Sequence, residues 1–121
     1  MIQLQRAYDE ESSKDGTRFL VERLWPRAVK KSSLKIERWL KDASPSTELR
    51  KWFDHDPAKW DEFRRRYFVE LDDRPEAWRP IIDAAAHGKV TLVYGSHDRE
   101  HNNAVALQEF LQHHLSATTA W

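Results

Sequence analysis

The chain has 121 residues, with 20 basic and 20 acidic side chains, so its formal net charge is zero. This length predicts one domain, and the balanced charge argues against bulk electrostatic capture of nucleic acid or of an anionic membrane. The absence of cysteine excludes disulfides, thiolate metal ligands and a thiol nucleophile. No apolar run is long enough to span a bilayer, and no signal peptide is evident, so we expect a cytoplasmic protein without a membrane partner.

Two short segments near the start of the chain have the pattern of strands. Residues 2–7 alternate apolar and polar side chains, which is the period of a half-buried strand. Residues 18–24 form a second, more apolar strand, preceded by the turn signal Asp15-Gly16 and stopped by Pro26. The loop between the two strands does not decide whether they are parallel or antiparallel.

Four helices are predicted next, from their start signals and from apolar residues three and four apart. The first covers Leu34–Lys41, and the others begin at Ser44-Pro45, Asp56-Pro57 and Arg74-Pro75. Ser44 is the expected cap of the second helix. Gly88 is expected to end the fourth in the left-handed conformation.

The last strand and helix complete the predicted domain. Val90–Tyr94 is apolar on both faces, which is typical of a central strand. Asp98 is the expected cap of a final helix with the inward stripe Ala104, Leu107, Leu111 and Leu115. We therefore predict a single compact α/β domain over residues 1–116, with a short, mostly parallel sheet of about three strands flanked by helices, and a flexible tail over 117–121.

Fixed positive charge follows the second strand, in the segment Arg23-Leu24-Trp25-Pro26-Arg27. Strand alternation puts Arg23 on the same face as Phe19, where its guanidinium needs either an internal carboxylate or a ligand. Arginine presents a planar fork of donors that suits phosphate and carboxylate. Arg23 and Arg27 are therefore candidate ligand-binding residues, and Trp25 is a candidate wall of the site.

A polar cluster follows the last strand, from Gly95 to Asn102. Gly95 permits a positive φ or a close approach of the backbone, and free N–H groups at this turn can hold an anion beside Ser96 and Asn102. Asp98 and His101 are three residues apart, so the carboxylate can orient the imidazole as a catalytic acid or base. The alternative is that Asp98 only caps the helix and that the histidine lines its first turn.

Two other classes of function stay open at this stage. A non-catalytic nucleic-acid or protein interaction module would use Arg50, Lys51 and Arg64–Arg66, although the zero net charge makes nucleic acid the less favoured partner. A metal-binding protein would use His97, Asp98 and His101, whose spacing matches no established metal signature. The residues predict no cofactor, because a phosphate loop and a dinucleotide fingerprint are both absent.

Four segments read together resemble the YeaO-like proteins, a domain-of-unknown-function family of uncharacterised cytoplasmic bacterial proteins. The segments are residues 23–27, Ser46-Thr47-Glu48-Leu49-Arg50-Lys51-Trp52-Phe53, Arg64-Arg65-Arg66-Tyr67 and Glu100-His101-Asn102. The resemblance spans nearly the whole chain and implies a compact α/β domain, but it implies no activity. Members usually carry glycine after Trp-Pro-Arg, where this chain has Ala28.

The two polar clusters follow strands that we expect to run in the same direction, so they should meet at the carboxyl edge of the sheet. The sequence thus predicts that the domain binds a small anionic, phosphorylated molecule at this edge. Arg23 and Arg27 would hold the anion, Trp25 and Tyr94 would form walls, and Asp98 and His101 would add acid/base groups. The oligomeric state and the occurrence of catalysis stay open.

Overall fold

The computed structural model describes residues 2–10 and 15–119, with side chains described as far as residue 116. The four strands are β1 (Ile2–Arg6), β2 (Thr17–Leu20), β3 (Arg38–Trp39) and β4 (Val90–Tyr94). The four α-helices are α1 (Thr47–Phe53), α2 (Trp60–Asp72), α3 (Pro75–Ala85) and α4 (Asn103–Thr119). Two 3-10 turns, Lys41–Ala43 and Pro57–Lys59, precede α1 and α2 respectively.

The strands form one parallel sheet in the order β1-β4-β2-β3. All five residues of β4 are buried, as expected for a central strand that is covered on both faces. Because β1 and β2 both pair with β4 in parallel, they run in the same direction without being neighbours. The structure thus confirms the α/β class and the parallel sheet, and β3 adds a fourth strand.

The two faces of the sheet are covered differently. The larger core lies between the helices and one face, and it includes Phe19 and Leu92 from the sheet with Phe63, Ile81 and Leu107 from the helices. The opposite face carries a smaller cluster around Leu20 and Val93, which Leu34 and the partly buried Trp25 and Trp39 cover. Helices therefore cover one face of the sheet, and the segment between β2 and α1 covers the other.

The helix predicted over Leu34–Lys41 is wrong, because this segment contains the edge strand β3. The free edge of β2 needs hydrogen-bond partners, and the segment supplies them. The Glu37 N–H donates to the Arg18 carbonyl at 2.7 Å, and the Leu40 N–H donates to the Leu20 carbonyl at 2.8 Å. Tertiary pairing therefore overrides the local helical spacing of Leu34 and Leu40.

Two element boundaries on the way to α1 differ from the prediction. The second strand ends at Leu20 instead of residue 24, because the chain beyond Val21 turns toward the segment that precedes α1. Arg23 fixes this turn by donating to the carbonyl of Pro45 at 3.0 Å. The cap of α1 is Ser46 instead of Ser44, since the Ser46 hydroxyl accepts the Leu49 N–H at 3.2 Å.

The predicted ends of the last two helices are also corrected. Gly88 has no positive φ, because the end of α3 stays right-handed and the Ala86 N–H donates to the Ile82 carbonyl. Asn102 caps α4, since its side-chain oxygen accepts the Val105 N–H at 2.9 Å. Asp98 instead closes the turn before this helix.

Helix α4 continues beyond residue 116, where the predicted domain ends. The backbone of residues 117–119 continues the helix, and residues 120 and 121 lie outside the described part of the chain. The flexible tail over 117–121 therefore stays a prediction. Among the described residues, no helix combines the length and the apolar character that crossing a membrane requires.

Two loop residues show where the backbone needs the left-handed conformation. Gly16 has a φ of +69°, and a Cβ there would lie 2.1 Å from the carbonyl oxygen of Lys89. Ala28, directly after Arg27, has a φ of +62°, which costs an L-residue about 1–2 kcal/mol. The glycine that the YeaO-like family usually carries at this position would remove that strain.

We therefore expect Ala28→Gly to stabilise the protein by about 0.5–1 kcal/mol, since the relief of strain exceeds the extra chain entropy of glycine. Thermal and urea unfolding measure this difference. Ala58→Gly, at an exposed position with no positive φ, is the matched control and should be destabilising. An equal loss of stability in both variants would contradict the account of the Ala28 loop.

Candidate functional site

An open cavity of about 720 Å³, the rim cavity, lies at the carboxyl edge of the sheet. Its main walls are the segment 22–27 after β2 and the segment 95–103 after β4. These segments lead in opposite directions. The segment after β2 leads toward β3 at one edge of the sheet, and the segment after β4 leads toward α4, which packs on β1 and β4. Such a reversal between adjacent parallel strands opens a crevice, where α/β sheets bind their ligands.

Most of the predicted site residues line the rim cavity. They are Trp25, Arg27, Ser96, Asp98, His101 and Asn102. Arg23 does not line it, and neither does the predicted wall residue Tyr94, which is buried. The two polar clusters of the sequence thus meet at one edge of the sheet, without Arg23.

Arg23 has a different place in the structure. Its guanidinium donates to the carbonyl oxygens of Pro45 at 3.0 Å and Ser44 at 3.4 Å. The partner that its partly buried charge requires is therefore a pair of backbone carbonyls. This contact connects the end of β2 to the start of α1. Arg23 is therefore a structural residue and does not contribute a guanidinium to the rim cavity.

Glu22 is the carboxylate at the centre of the cavity wall. Its Oε1 accepts the N–H of Gly95 at 3.2 Å, so the ends of β2 and β4 are joined through this side chain. Burial raises the pKa of Glu22 above its ordinary value of 4.5, whereas the Gly95 N–H and the nearby Arg50 act in the opposite direction. The site therefore holds a carboxyl group whose ionised form is incompletely stabilised by the protein.

The backbone around Glu22 is fixed on both sides. The indole N–H of Trp39 donates to the Glu22 carbonyl at 2.6 Å, and the Asn103 side-chain amide donates to the Val21 carbonyl at 2.6 Å. Trp39 also contacts Trp25 edge-on, with ring centroids 5.3 Å apart. These contacts hold the carboxyl group of Glu22 at the cavity.

Two arginines bring positive charge to the rim cavity, Arg27 and Arg50. Arg27 is exposed in the loop after β2, where the Tyr8 hydroxyl donates to its backbone carbonyl at 2.9 Å. Arg50 reaches the cavity from α1. Within the described part of the chain, neither guanidinium makes a hydrogen bond or an ion pair, although Arg50 lies near enough to Glu22 to affect its pKa.

Asp98 orients His101 as the sequence predicts. Its Oδ2 lies 3.1 Å from the Nδ1 of the imidazole, which also contacts the edge of Trp60 at 5.4 Å between centroids. The backbone N–H groups of Glu100 and His101 donate to Asp98 and are the main cause of its lowered pKa. The carboxylate thus fixes the orientation of the His101 ring. An imidazole held in this way can act as a hydrogen-bonding group or as a general acid or base.

The loop after β4 has fewer free N–H groups than the sequence predicts for an anion site, because several of them bond within the protein. The N–H groups of Gly95, Asp98, Glu100 and His101 donate to side chains of the protein. Gly95 has no positive φ, and a Cβ there would meet Pro26 at an ordinary 3.8 Å. The loop therefore uses neither the positive φ nor the close backbone approach that glycine permits at residue 95.

Ser96 and Asn102 are engaged inside the same loop. The Ser96 hydroxyl accepts the Asp98 N–H at 3.1 Å, and the Asn102 amide donates to the Asp98 carbonyl at 2.8 Å. Because both side chains shape the loop, they line the cavity as structural groups.

The metal-site alternative finds no support in the described residues. Among the described residues, no three histidine, aspartate or glutamate side chains come together as metal ligands. His97 bonds through Nδ1 to the Arg6 guanidinium at 3.2 Å, whereas His101 bonds to Asp98. The Nδ1 of His97 is occupied by the Arg6 guanidinium, and the side chains of His97, Asp98 and His101 do not converge on one point.

Sequence reasoning missed five polar residues of the cavity: Tyr8, Glu22, Arg50, His55 and Asn103. Glu22 falls inside the strand predicted over residues 18–24, whereas the observed strand ends at Leu20. Arg50 was considered only for an interaction surface. His55 has a φ of +55° and follows Asp54 at +46°, a pair of left-handed residues that no sequence signal marks.

The fold and the cavity define the class of this protein, a small parallel α/β domain with an open cavity at the carboxyl edge of its sheet. The chain belongs to the inactive DUF488-N3 subclade, whose family model matches residues 1–120.

Relatives in several bacteria cover nearly the same length. The chain is 38% identical over 111 residues to the uncharacterized protein YeaO of Escherichia coli K12, covering 92% of this chain and 96% of that protein. It is 42% identical over 110 residues to the uncharacterized proteins Mb3100c of Mycobacterium bovis and Rv3073c of Mycobacterium tuberculosis, covering 91% of this chain and 92% of each. These matches confirm the resemblance to the YeaO-like family. No solved structure matches the chain significantly.

The raised pKa of Glu22 leads to a prediction about stability and pH. A raised pKa means that the folded protein holds this proton more tightly than the unfolded chain does, so stability falls as the pH rises above about 4.5. Glu22→Gln removes this loss and keeps an oxygen for the Gly95 N–H. We expect the variant to be more stable than the wild type at about pH 8 and equally stable near pH 4.

Thermal unfolding over this pH range measures the difference. Glu100→Gln, at an exposed position, is the control and should change stability little at any pH. A Glu22→Gln variant that is less stable than the wild type at about pH 8 would contradict the assignment of a raised pKa to Glu22.

Proposed function

We propose that this protein binds a small anionic, phosphorylated molecule in the rim cavity and does not turn it over. Arg27 and Arg50 hold the anionic group, and the oriented imidazole of His101 adds a third donor. The apolar part of the ligand contacts Trp25, Pro26 and Phe53, which line the same cavity. The volume of about 720 Å³ lies within the range of ordinary small-molecule sites.

The observation that carries this proposal is the state of the cavity arginines. Elsewhere in the described chain, several surface arginines are paired: Arg64 with Glu109, Arg65 and Arg66 with Glu62, and Arg99 with Asp9. Arg38 and Arg79 are exposed and form no ion pair with described residues, but they lie outside the cavity. Arg27 and Arg50 face a concave site with no such pair. Guanidinium groups gathered in a cavity are suited to bidentate contacts with phosphate or carboxylate.

Binding without turnover is favoured by the description of the family as an inactive subclade. The Asp98–His101 pair has the geometry for acid/base chemistry, but the Ser96 hydroxyl in the same cavity bonds to the Asp98 N–H and makes no hydrogen bond to the imidazole. Among the described residues, no metal-ligand cluster lies beside the pair. In a binding role, the same pair keeps the imidazole fixed as a hydrogen-bonding group. Asp98 and His101 are thus ligand-binding residues in this proposal.

The alternative of a nucleic-acid interaction module has less support. Arg64–Arg66 would be its main phosphate contacts, yet all three are paired with carboxylates, and the pair with Arg65 and Arg66 holds the pKa of the exposed Glu62 at about 2. Arg66 also stacks on Trp52, with its guanidinium 4.3 Å from the ring centroid. These residues form an ion-paired surface of α2.

The proposal is tested with inorganic phosphate as the probe, by calorimetry and thermal unfolding. Phosphate at ten times its Kd should stabilise the protein by about 1.4 kcal/mol through mass action. Arg27→Ala and Arg50→Ala should each weaken phosphate binding about tenfold or more, because each removes a charge-assisted hydrogen-bond donor.

Arg79→Ala, an exposed arginine of α3 outside the cavity, is the matched control and should leave binding unchanged. Sodium chloride at the same ionic strength controls for screening. The proposal is wrong if chloride stabilises the protein as much as phosphate does, or if the control variant weakens binding as much as the two cavity variants do.

A further inference from the structure

The carboxyl group of Glu22 has more acceptor capacity than the protein uses. A carboxylate offers about four acceptor positions on its two oxygens, and the described residues give this one a single hydrogen bond, from the Gly95 N–H at 3.2 Å. The group lines the rim cavity. Because the cavity is open and no unpaired oxygen of Glu22 is fully buried, water can reach this group, and a ligand N–H would take the place of that water.

The backbone that carries the Glu22 side chain is also fixed, so the carboxyl group stays at the cavity. Trp39 holds the Glu22 carbonyl and Asn103 holds the carbonyl before it, each at 2.6 Å. The Gly95 N–H fixes one carboxyl oxygen. The remaining acceptor positions are therefore presented to whatever occupies the rim cavity.

The charges of the cavity are balanced, which limits the ligands that fit it. Its formal charges are Arg27 and Arg50 on the positive side and Glu22 and Asp98 on the negative side. A purely anionic ligand gains from the two guanidiniums but is repelled by Glu22 in a site of reduced dielectric. A ligand with an anionic end and a donor end complements both sets of groups.

Resting on the proposed function, we propose that Glu22 makes the rim cavity selective for an anionic molecule that also carries an N–H donor, such as an amino, amide or amidine group. Arg27 and Arg50 hold the anionic end, and the free oxygen of Glu22 accepts the N–H. The raised pKa of Glu22 agrees with this role, because a bound donor would stabilise the ionised carboxylate that the protein alone leaves poorly solvated.

The test uses phosphate monoesters that share the anionic group and differ at the other end. Ethyl phosphate has no donor, phosphocholine has a positive charge without an N–H, and phosphoethanolamine has both. Aminopropyl phosphate and aminobutyl phosphate extend the reach of the amine. Calorimetry at constant ionic strength gives the Kd of each ligand for the wild type and for Glu22→Gln, which keeps the shape of the side chain and removes its charge.

We expect at least one aminoalkyl phosphate to bind the wild type about tenfold more tightly than ethyl phosphate and phosphocholine, because a hydrogen bond to a charged group is worth at least that factor. In Glu22→Gln the preference should fall to about threefold or less. A variant that does not fold leaves the wild-type series as a complete test.

Equal binding of all the esters would overturn the role of Glu22 and leave the anion site intact. Phosphocholine binding as tightly as the best aminoalkyl phosphate would also overturn it, since charge alone would then account for the preference. If neither inorganic phosphate nor any ester binds, the proposed function and this inference fail together.

Discussion

Parallel pairing of β2 with β4 is the constraint on which the rest of the structure depends. The register sets Leu20 opposite Val93, and the Val21 N–H continues the ladder to the Val93 carbonyl at 3.1 Å. Both strands therefore end at the same edge of the sheet, where Glu22 meets the N–H of Gly95. The chain then leaves in opposite directions, and the crevice between the two exits becomes the rim cavity.

The rim cavity combines groups that a folding domain would otherwise keep apart. A largely buried carboxylate and two guanidiniums without hydrogen-bonding partners share one concave surface, although the rest of the described surface pairs many of its charges. Left-handed residues that are not glycine, Ala28 and His55, flank the same cavity. Strain and incompletely solvated charge at one place are typical of a binding site, because a ligand can supply the missing partners.

The sequence was sufficient for the class of fold and for the edge of the sheet at which the two polar clusters meet. Apolar strands that end in polar clusters have a direct physical meaning, and Val90–Tyr94 is indeed central. The sequence was insufficient where tertiary partners decide the local structure. Arg38–Trp39 became a strand because β2 had a free edge, and Arg23 turned to backbone carbonyls because its strand ended early. Glu22 and Arg50 entered the site through those same tertiary effects, which spacing along the chain does not encode.

We propose that this protein binds small anions in the rim cavity. The most direct measurement is a titration of the isotope-labelled protein with inorganic phosphate, followed by NMR of the amide and indole N–H groups. The account predicts concentration-dependent shifts that cluster at residues 22–28, 50–55 and 95–103, including the Trp25 indole, and that saturate together. Shifts confined to the Arg64–Arg66 surface of α2, or no saturable shifts at all, would contradict it.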